Sequence, residues 1–248
     1  MVSQRLQPFG STIFTEISAL SREHGATDLG QGYPTFEGPE SVKQAAIDGL
    51  RNGWNQYPPS MGTAELRSAV ADRWQADTGL TVDPDREVTV TSGATEALAA
   101  TFIGTFDPGD EVILIEPYYD AYPVGCALSG AVPRYVTLHT PDFRLDPEAL
   151  ESAVSSRTRA ILINTPHNPT GRVFDRAELE AVADLCRRHD LIAITDEVYE
   201  RMVYVSDHIR LATLDGMAER TITISSIGKS FSFTGWKTGW AIAVSELT

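Results

Sequence analysis

Residues 221–244 read TITISSIGKSFSFTGWKTGWAIAV. Two apolar runs, TITIS (221–225) and GWAIAV (239–244), flank a linker rich in Gly and Ser that holds Lys229 and Lys237. Each run has the β-branched or apolar content of a buried strand. The linker is too short for a right-handed crossover with its own helix, which parallel neighbours require. The second run is therefore expected to lie antiparallel to the first. The GKS triplet invites a phosphate-binding P-loop reading. That motif needs a glycine five residues before Gly228, and the position is Thr223, so the reading fails.

Working outward, similar runs recur at 87–91 (EVTVT), 111–116 (EVILIE), 133–138 (PRYVTL), 159–164 (RAILIN) and 191–195 (LIAIT). Near-continuous Val, Ile and Leu mark strands covered on both faces. Helical patterns follow the first, third and fourth of the seven runs, as ATEALAATFIGTF, DPEALESAVSS and DRAELEAVADLCRRH. Asp175 and Glu178 stand at capping-box spacing before the last. Two more helical stretches, GPESVKQAAIDGL and GTAELRSAVADRWQAD, precede the first strand. The alternation predicts a doubly wound α/β fold: seven strands, mostly parallel, with an antiparallel seventh.

Composition narrows the function. The chain has 248 residues, 42% of them hydrophobic, and a formal net charge of −14. That charge argues against a broad cationic surface for nucleic acid. No run reaches membrane-spanning length, and the first residues lack the apolar core of a signal peptide. Cys126 and Cys186 sit in apolar surroundings and read as buried thiols; no metal-type Cys/His spacing appears. A cytoplasmic enzyme domain with no metal, membrane or nucleic-acid partner is expected.

Open α/β sheets bind ligands at the carboxyl ends of their strands. The segments expected there are SGATEA (92–97), EPYYDAY (116–122), TPHNPTG (165–171), DEVYE (196–200) and Ser226-Ile-Gly-Lys229. Singly, each has an ordinary reading: a cap, a turn, core packing, a solvated lysine. Together they supply an anion nest at a helix start, a flat aromatic, an amide, an acid, a phenol, a hydroxyl and two cations. One ligand asks for the whole set: pyridoxal 5′-phosphate, a phosphorylated aromatic heterocycle that forms an imine with lysine.

The motifs SGATEAL, EPYYDAY, NTPHNPTG, TDEVYE and SSIGKSFSFTGWKTGW, in this order, resemble those of the class I/II aminotransferases of pyridoxal-phosphate fold type I. The resemblance runs from LGQGYPTFEGPE (29–40) onward and is nearest the kynurenine, glutamine, methionine and N-succinyl-diaminopimelate subgroup. It implies Lys229 as Schiff-base lysine and proton shuttle, Asp196 at the pyridine nitrogen, and Tyr199 and Asn168 at the ring hydroxyl. It implies Tyr119 stacked on the ring, and Ala94, Thr95, Ser226 and Lys237 around the phosphate. Tyr57 corresponds to a tyrosine reaching the phosphate of a neighbouring subunit, hence a homodimer with a shared site. Gly32 and Asn168 correspond to substrate contacts. The implied reaction is ping-pong transfer of an amino group between an amino acid and a 2-oxo acid. A carbon–sulfur β-lyase and an inactive cofactor-binding module remain the alternatives.

The resemblance also implies domain limits: an N-terminal arm and small-domain segment over 1–38, and the cofactor-binding large domain over 39–248. Family members run to roughly 400 residues, a two-domain size. The C-terminal small domain, with its carboxylate-gripping arginine, is expected to lie outside this chain. On that expectation the 248 residues alone bind the cofactor weakly and transaminate poorly.

Overall fold

The computed structural model describes residues 3–32, 34 and 36–248. The helices are α1 (Ile13–His24), α2 (Glu40–Arg51), α3 (Ala64–Thr78), α4 (Gly93–Thr105), α5 (Ala121–Ser129), α6 (Pro147–Ser152), α7 (Arg176–His189) and the single turn α8 (Ile227–Ser230). The strands are β1 (Val88–Ser92), β2 (Glu111–Glu116), β3 (Val132–Thr137), β4 (Thr158–Asn164), β5 (Ile192–Asp196), β6 (Thr221–Ser226) and β7 (Thr238–Ile242). They form one sheet in the order β1-β7-β6-β5-β4-β2-β3. β7 pairs antiparallel with both β1 and β6, while the remaining pairs are parallel. The short connection before β7 holds only one α-turn and a 3-10 turn at Thr234–Trp236, so the chain reverses instead of crossing over.

Alternate residues of the central strands face opposite layers. Ile113, Ile115, Ile161 and Ile163 pack with α7, through Leu179, Val182 and Cys186. Val112, Leu114, Leu162, Ile194 and Ile224 pack with α4 and α5, through Leu98, Phe102 and Cys126. Both cysteines are free and buried, as their surroundings imply. α7 carries the full capping box: Asp175 accepts from the Glu178 amide, and Glu178 accepts from the Asp175 amide. Such caps contribute about 1 kcal/mol each.

Besides the single turn α8, two helices were not legible in the pattern. α5 occupies a stretch the sequence reading leaves as an aromatic loop. Its residues are apolar or small on every side, so no amphipathic period marks it. It forms because it can approach α4 closely: a Cβ on Gly125 would stand 2.5 Å from the Phe102 ring. α1 has no buried residue, although Thr12 caps its start and Gly25 closes its end in the left-handed region. β3 lies at the sheet edge, and Val132 and Tyr135 on it are exposed, so both-face burial stops short of it.

Candidate active site

The carboxyl ends of β1, β2, β4, β5 and β6 share one edge of the sheet, and the antiparallel β7 begins there. Its register places Thr238 beside Ser92 and Gly239 beside Ser226. Lys237 is thereby set between the start of α4 and the end of β6. Its own backbone is in the left-handed region, at φ 52°. Such strain in a non-glycine residue collects at functional sites. The approach of β7 to α4 is possible because both contact residues are glycines: a Cβ on Gly239 would stand 2.5 Å from the Gly93 carbonyl carbon.

A cavity of about 650 Å³ opens on this edge. Lys229, Asp196, Tyr199, Tyr119 and Asn168 line it, as do Ala94, Thr95, Ser226, Lys237 and Gly32. Tyr57 is the exception among the predicted residues. It is fully exposed and lies outside the cavity of its own chain.

Lys229 stands on the single turn α8. Its Nζ donates to the Gly32 carbonyl at 2.5 Å and lies 5.6 Å from the centre of the Tyr199 ring. Burial, then the charge of Lys237, lowers its pKa from the ordinary lysine value. Lys237 Nζ reaches Thr95 Oγ1 at 3.5 Å, at the first turn of α4. The first amides of a helix have no intrahelical partner, and its dipole favours anions there. Ser226, Thr95, Lys237 and these amides together can bind a phosphate-like group.

Asp196 ends β5 and is 4% exposed. Burial pushes its pKa up to about 6, against the hydrogen bonds from Tyr122 and the Val198 amide. Burial likewise raises the phenols of Tyr119 and Tyr199, and the Asp196 charge adds to it in both.

Two residues here were missed by the sequence reading. Tyr122, in the first turn of α5, donates its hydroxyl to Asp196 Oδ2 at 2.9 Å. Asn164, the last residue of β4, donates to the Asp196 carbonyl at 2.8 Å and accepts from the Asn168 amide at 2.7 Å. It ties the Asn168 loop to the tip of β5. Both lie inside motifs of the family resemblance, EPYYDAY and NTPHNPTG, and Asn164 closes an otherwise apolar strand. A polar amide at that point of the edge was the available signal.

The Aminotransferase class I and II family profile matches residues 25–248. The chain belongs to that family. It is 51% identical over 251 residues to a probable N-succinyldiaminopimelate aminotransferase of Mycobacterium tuberculosis, covering 100% of this chain and 63% of the relative. To the human kynurenine–oxoglutarate transaminase 3 it is 41% identical over 261 residues, covering 99% of this chain and 57% of the relative. The solved structure of the N-succinyldiaminopimelate aminotransferase from M. tuberculosis superimposes with a TM-score of 0.97 at 50% identity, over 100% of this chain and 65% of that one. The chain thus spans less than two thirds of the length of these aminotransferases. Aminotransferases of this family depend on pyridoxal 5′-phosphate. Among the described residues no helix is long and apolar enough to cross a membrane.

Proposed function

We propose that the chain carries the pyridoxal-phosphate site of an aminotransferase moving an amino group between an amino acid and a 2-oxo acid. The observation that carries the reading is the pairing in one cavity of Lys229, whose amine burial pushes toward its free base, with the carboxyl group of Asp196 at the tip of β5. An aldehyde-bearing, phosphorylated pyridine needs an amine that deprotonates readily, an acid for its ring nitrogen, a flat surface and an anion nest. The residues of this cavity fit all four needs.

When bound, the cofactor supplies an electrophilic carbonyl and an electron-withdrawing ring that stabilises negative charge at the substrate Cα. Lys229 would hold the cofactor through its amine and would move the substrate Cα proton; its lowered pKa favours the free base both roles need. Asp196 holds the ring nitrogen by charge and hydrogen bond. Tyr199 and Asn168 would hold the ring hydroxyl, and Tyr119 would supply the flat surface for the ring. Ala94 and Thr95 through their amides, with Ser226 and Lys237, hold the phosphate. Gly32 and Asn168 face the substrate. Tyr57, exposed on its own chain, reaches the phosphate held in a second subunit, which makes the working unit a homodimer. On this reading, residues 1–38 form the arm and small-domain segment and 39–248 the large domain, in a cytoplasmic setting without membrane or nucleic-acid partner.

The test is borohydride reduction of the protein mixed with pyridoxal 5′-phosphate, followed by peptide mapping. The label is expected on Lys229 and absent in Lys229→Ala; a label on Lys237 or Lys43 instead overturns the assignment. Asp196→Asn is expected to retain the label but lose Cα proton abstraction, measured as exchange of the substrate Cα hydrogen. Products identify the reaction: an oxo acid with the aminated cofactor for transamination, against pyruvate, ammonia and a thiol for β-elimination.

A further inference from the structure

We propose that Tyr122 is a positioning residue that fixes Asp196 as an anion oriented toward the cavity. The inference rests on the reading that Asp196 meets the ring nitrogen of the cofactor.

Tyr122 is 2% exposed, and its hydroxyl donates to Asp196 Oδ2 at 2.9 Å. The other oxygen, Oδ1, accepts from the Val198 amide at 3.3 Å. Among the described residues Asp196 has no ion pair, so Tyr122 is its side-chain donor. A buried carboxylate with so few partners drifts toward its neutral acid. A neutral acid cannot hold a cationic ring nitrogen. The phenol opposes that drift because it remains a donor at every working pH: burial, then the Asp196 charge, holds the Tyr122 pKa well above its ordinary value.

The charges around Asp196 do not do this work. Glu197, the next residue, acts against ionisation of Asp196. Tyr119 and Tyr199 remain protonated across the cavity. Lys229 Nζ is engaged by Gly32, and Lys237 Nζ lies by Thr95.

Tyr122 also fixes direction. Its ring meets that of Tyr119 edge-on, with centroids 5.7 Å apart. One side chain therefore joins the acid proposed for the ring nitrogen to the surface proposed for the ring face. Asn164 secures the same strand tip through the Asp196 carbonyl. The hydroxyl and the ring of Tyr122 can be separated by experiment, because Tyr122→Phe keeps the packing on Tyr119 and removes only the donor.

In cofactor-free protein, carboxyl carbon NMR should follow the titration of Asp196, with Asp196→Asn assigning the signal. In Tyr122→Phe the midpoint should rise by about 1 to 2, the size expected for losing one hydrogen bond to a charged group. An unmoved midpoint overturns the proposal. Site-specific fluorotyrosine at position 122, a stronger donor of nearly the same shape, should lower the midpoint. It decides the matter if the Phe variant does not fold, and an unmoved midpoint there also overturns the proposal.

In the loaded protein, Tyr122→Phe should still take the borohydride label on Lys229. The ring nitrogen of ¹⁵N-labelled pyridoxal phosphate should lose its proton at lower pH than in wild type; an identical ¹⁵N titration overturns the proposal. If wild-type protein takes no label on Lys229, it is the aminotransferase reading that fails. The carboxyl titration of Asp196 still decides for or against Tyr122.

Discussion

Asp196 and Glu197 are neighbours at the tip of β5, and both are buried, yet they are treated in opposite ways. Asp196 meets a phenol and an amide, and burial leaves it with a pKa near 6. Glu197 meets an imidazole and a guanidinium. His208 Nε2 lies 2.9 Å from its Oε2, and Arg210 donates to the same oxygen at 2.5 Å. Burial alone would push Glu197 up, but the His208 hydrogen bond and the charges of His208 and Arg210 hold it below the ordinary glutamate value. Arg210 also reaches Glu200 at 2.6 Å and Asp77 at 3.1 Å, and lies 5.2 Å above the Trp74 ring. Arg201 adds a further bridge to Asp77. One side of the strand tip matches its charges internally. Among the described residues the cavity side gives Asp196 and Lys229 no opposite charge, and burial pushes both toward neutrality, so each can gain from a charged ligand. Matched charges hold a segment in place, whereas unmatched ones are what a binding site offers.

The largest expected break of this contrast is Arg210→Ala. It would leave Asp77, Glu197 and Glu200 around a site without its guanidinium. Removing one partner of a buried pair costs about 3–5 kcal/mol. Chemical denaturation should register a loss of that size; a loss below about 1 kcal/mol would show that the cluster is not matched as described.

Asp196→Asn should act with the opposite sign on stability. An acid whose pKa rises on folding binds more protons folded than unfolded, so its ionisation opposes folding. The cost is absent below the unfolded value of 3.8, grows as pH rises, and is complete above about 6. At neutral pH it amounts to about 3 kcal/mol at most. Cofactor-free Asp196→Asn should therefore be more stable than wild type at pH 7, with the gain gone by pH 4. Asparagine keeps one acceptor oxygen for the Val198 amide, and its NH2 group can donate to the Tyr122 hydroxyl oxygen in place of the lost acceptor. Equal stability at pH 7 would mean that the unmatched acid carries no folding cost.

Glu197→Gln sharpens the comparison. A depressed folded pKa contributes stability that is present above the unfolded value and lost as pH falls through the folded one. The variant should thus be less stable than wild type at neutral pH, and the deficit should shrink on acidification. Stability curves of the two neighbouring variants, taken against pH, should slope in opposite directions relative to wild type. Parallel curves would erase the distinction between the two carboxylates.

This contrast also separates what the sequence discloses from what it does not. Val112 to Ile115 and Ile161 to Ile163 announce buried strands because every position is apolar. The reversal of β7 follows from a linker too short to cross over. Asp196, Tyr199, Lys229 and Lys237 stand out because polar residues at strand ends have one edge to converge on. The matched cluster has no such signature. It joins Asp77 and Trp74 on α3 to Glu197, Glu200, Arg201, His208 and Arg210, far along the chain, and each looks like an ordinary surface charge or core ring until the fold assembles them. Tyr122 stayed hidden for a different reason: α5 lacks an amphipathic period, so nothing in the sequence turns that phenol inward.

The smallest expected effect tests the cation of the cavity. Lys229 is lowered first by burial and second by Lys237, so removing Lys237 takes away only the lesser cause. In Lys237→Ala the Lys229 amine should hold its proton to higher pH than in wild type, while still titrating below an exposed lysine. The measurement is the rate at which a small amine-directed reagent labels Lys229 in cofactor-free protein, followed by mass spectrometry across pH. Only the free base reacts, so the midpoint of that profile reports the amine. The third lysine of the chain, the half-buried Lys43, lies outside the cavity, pairs with Glu37 and Glu40, and serves as the internal reference. The Lys229 midpoint should move upward and the Lys43 midpoint should remain fixed. If both remain fixed, burial alone sets the Lys229 amine, and Lys237 is left with the phosphate as its sole proposed duty.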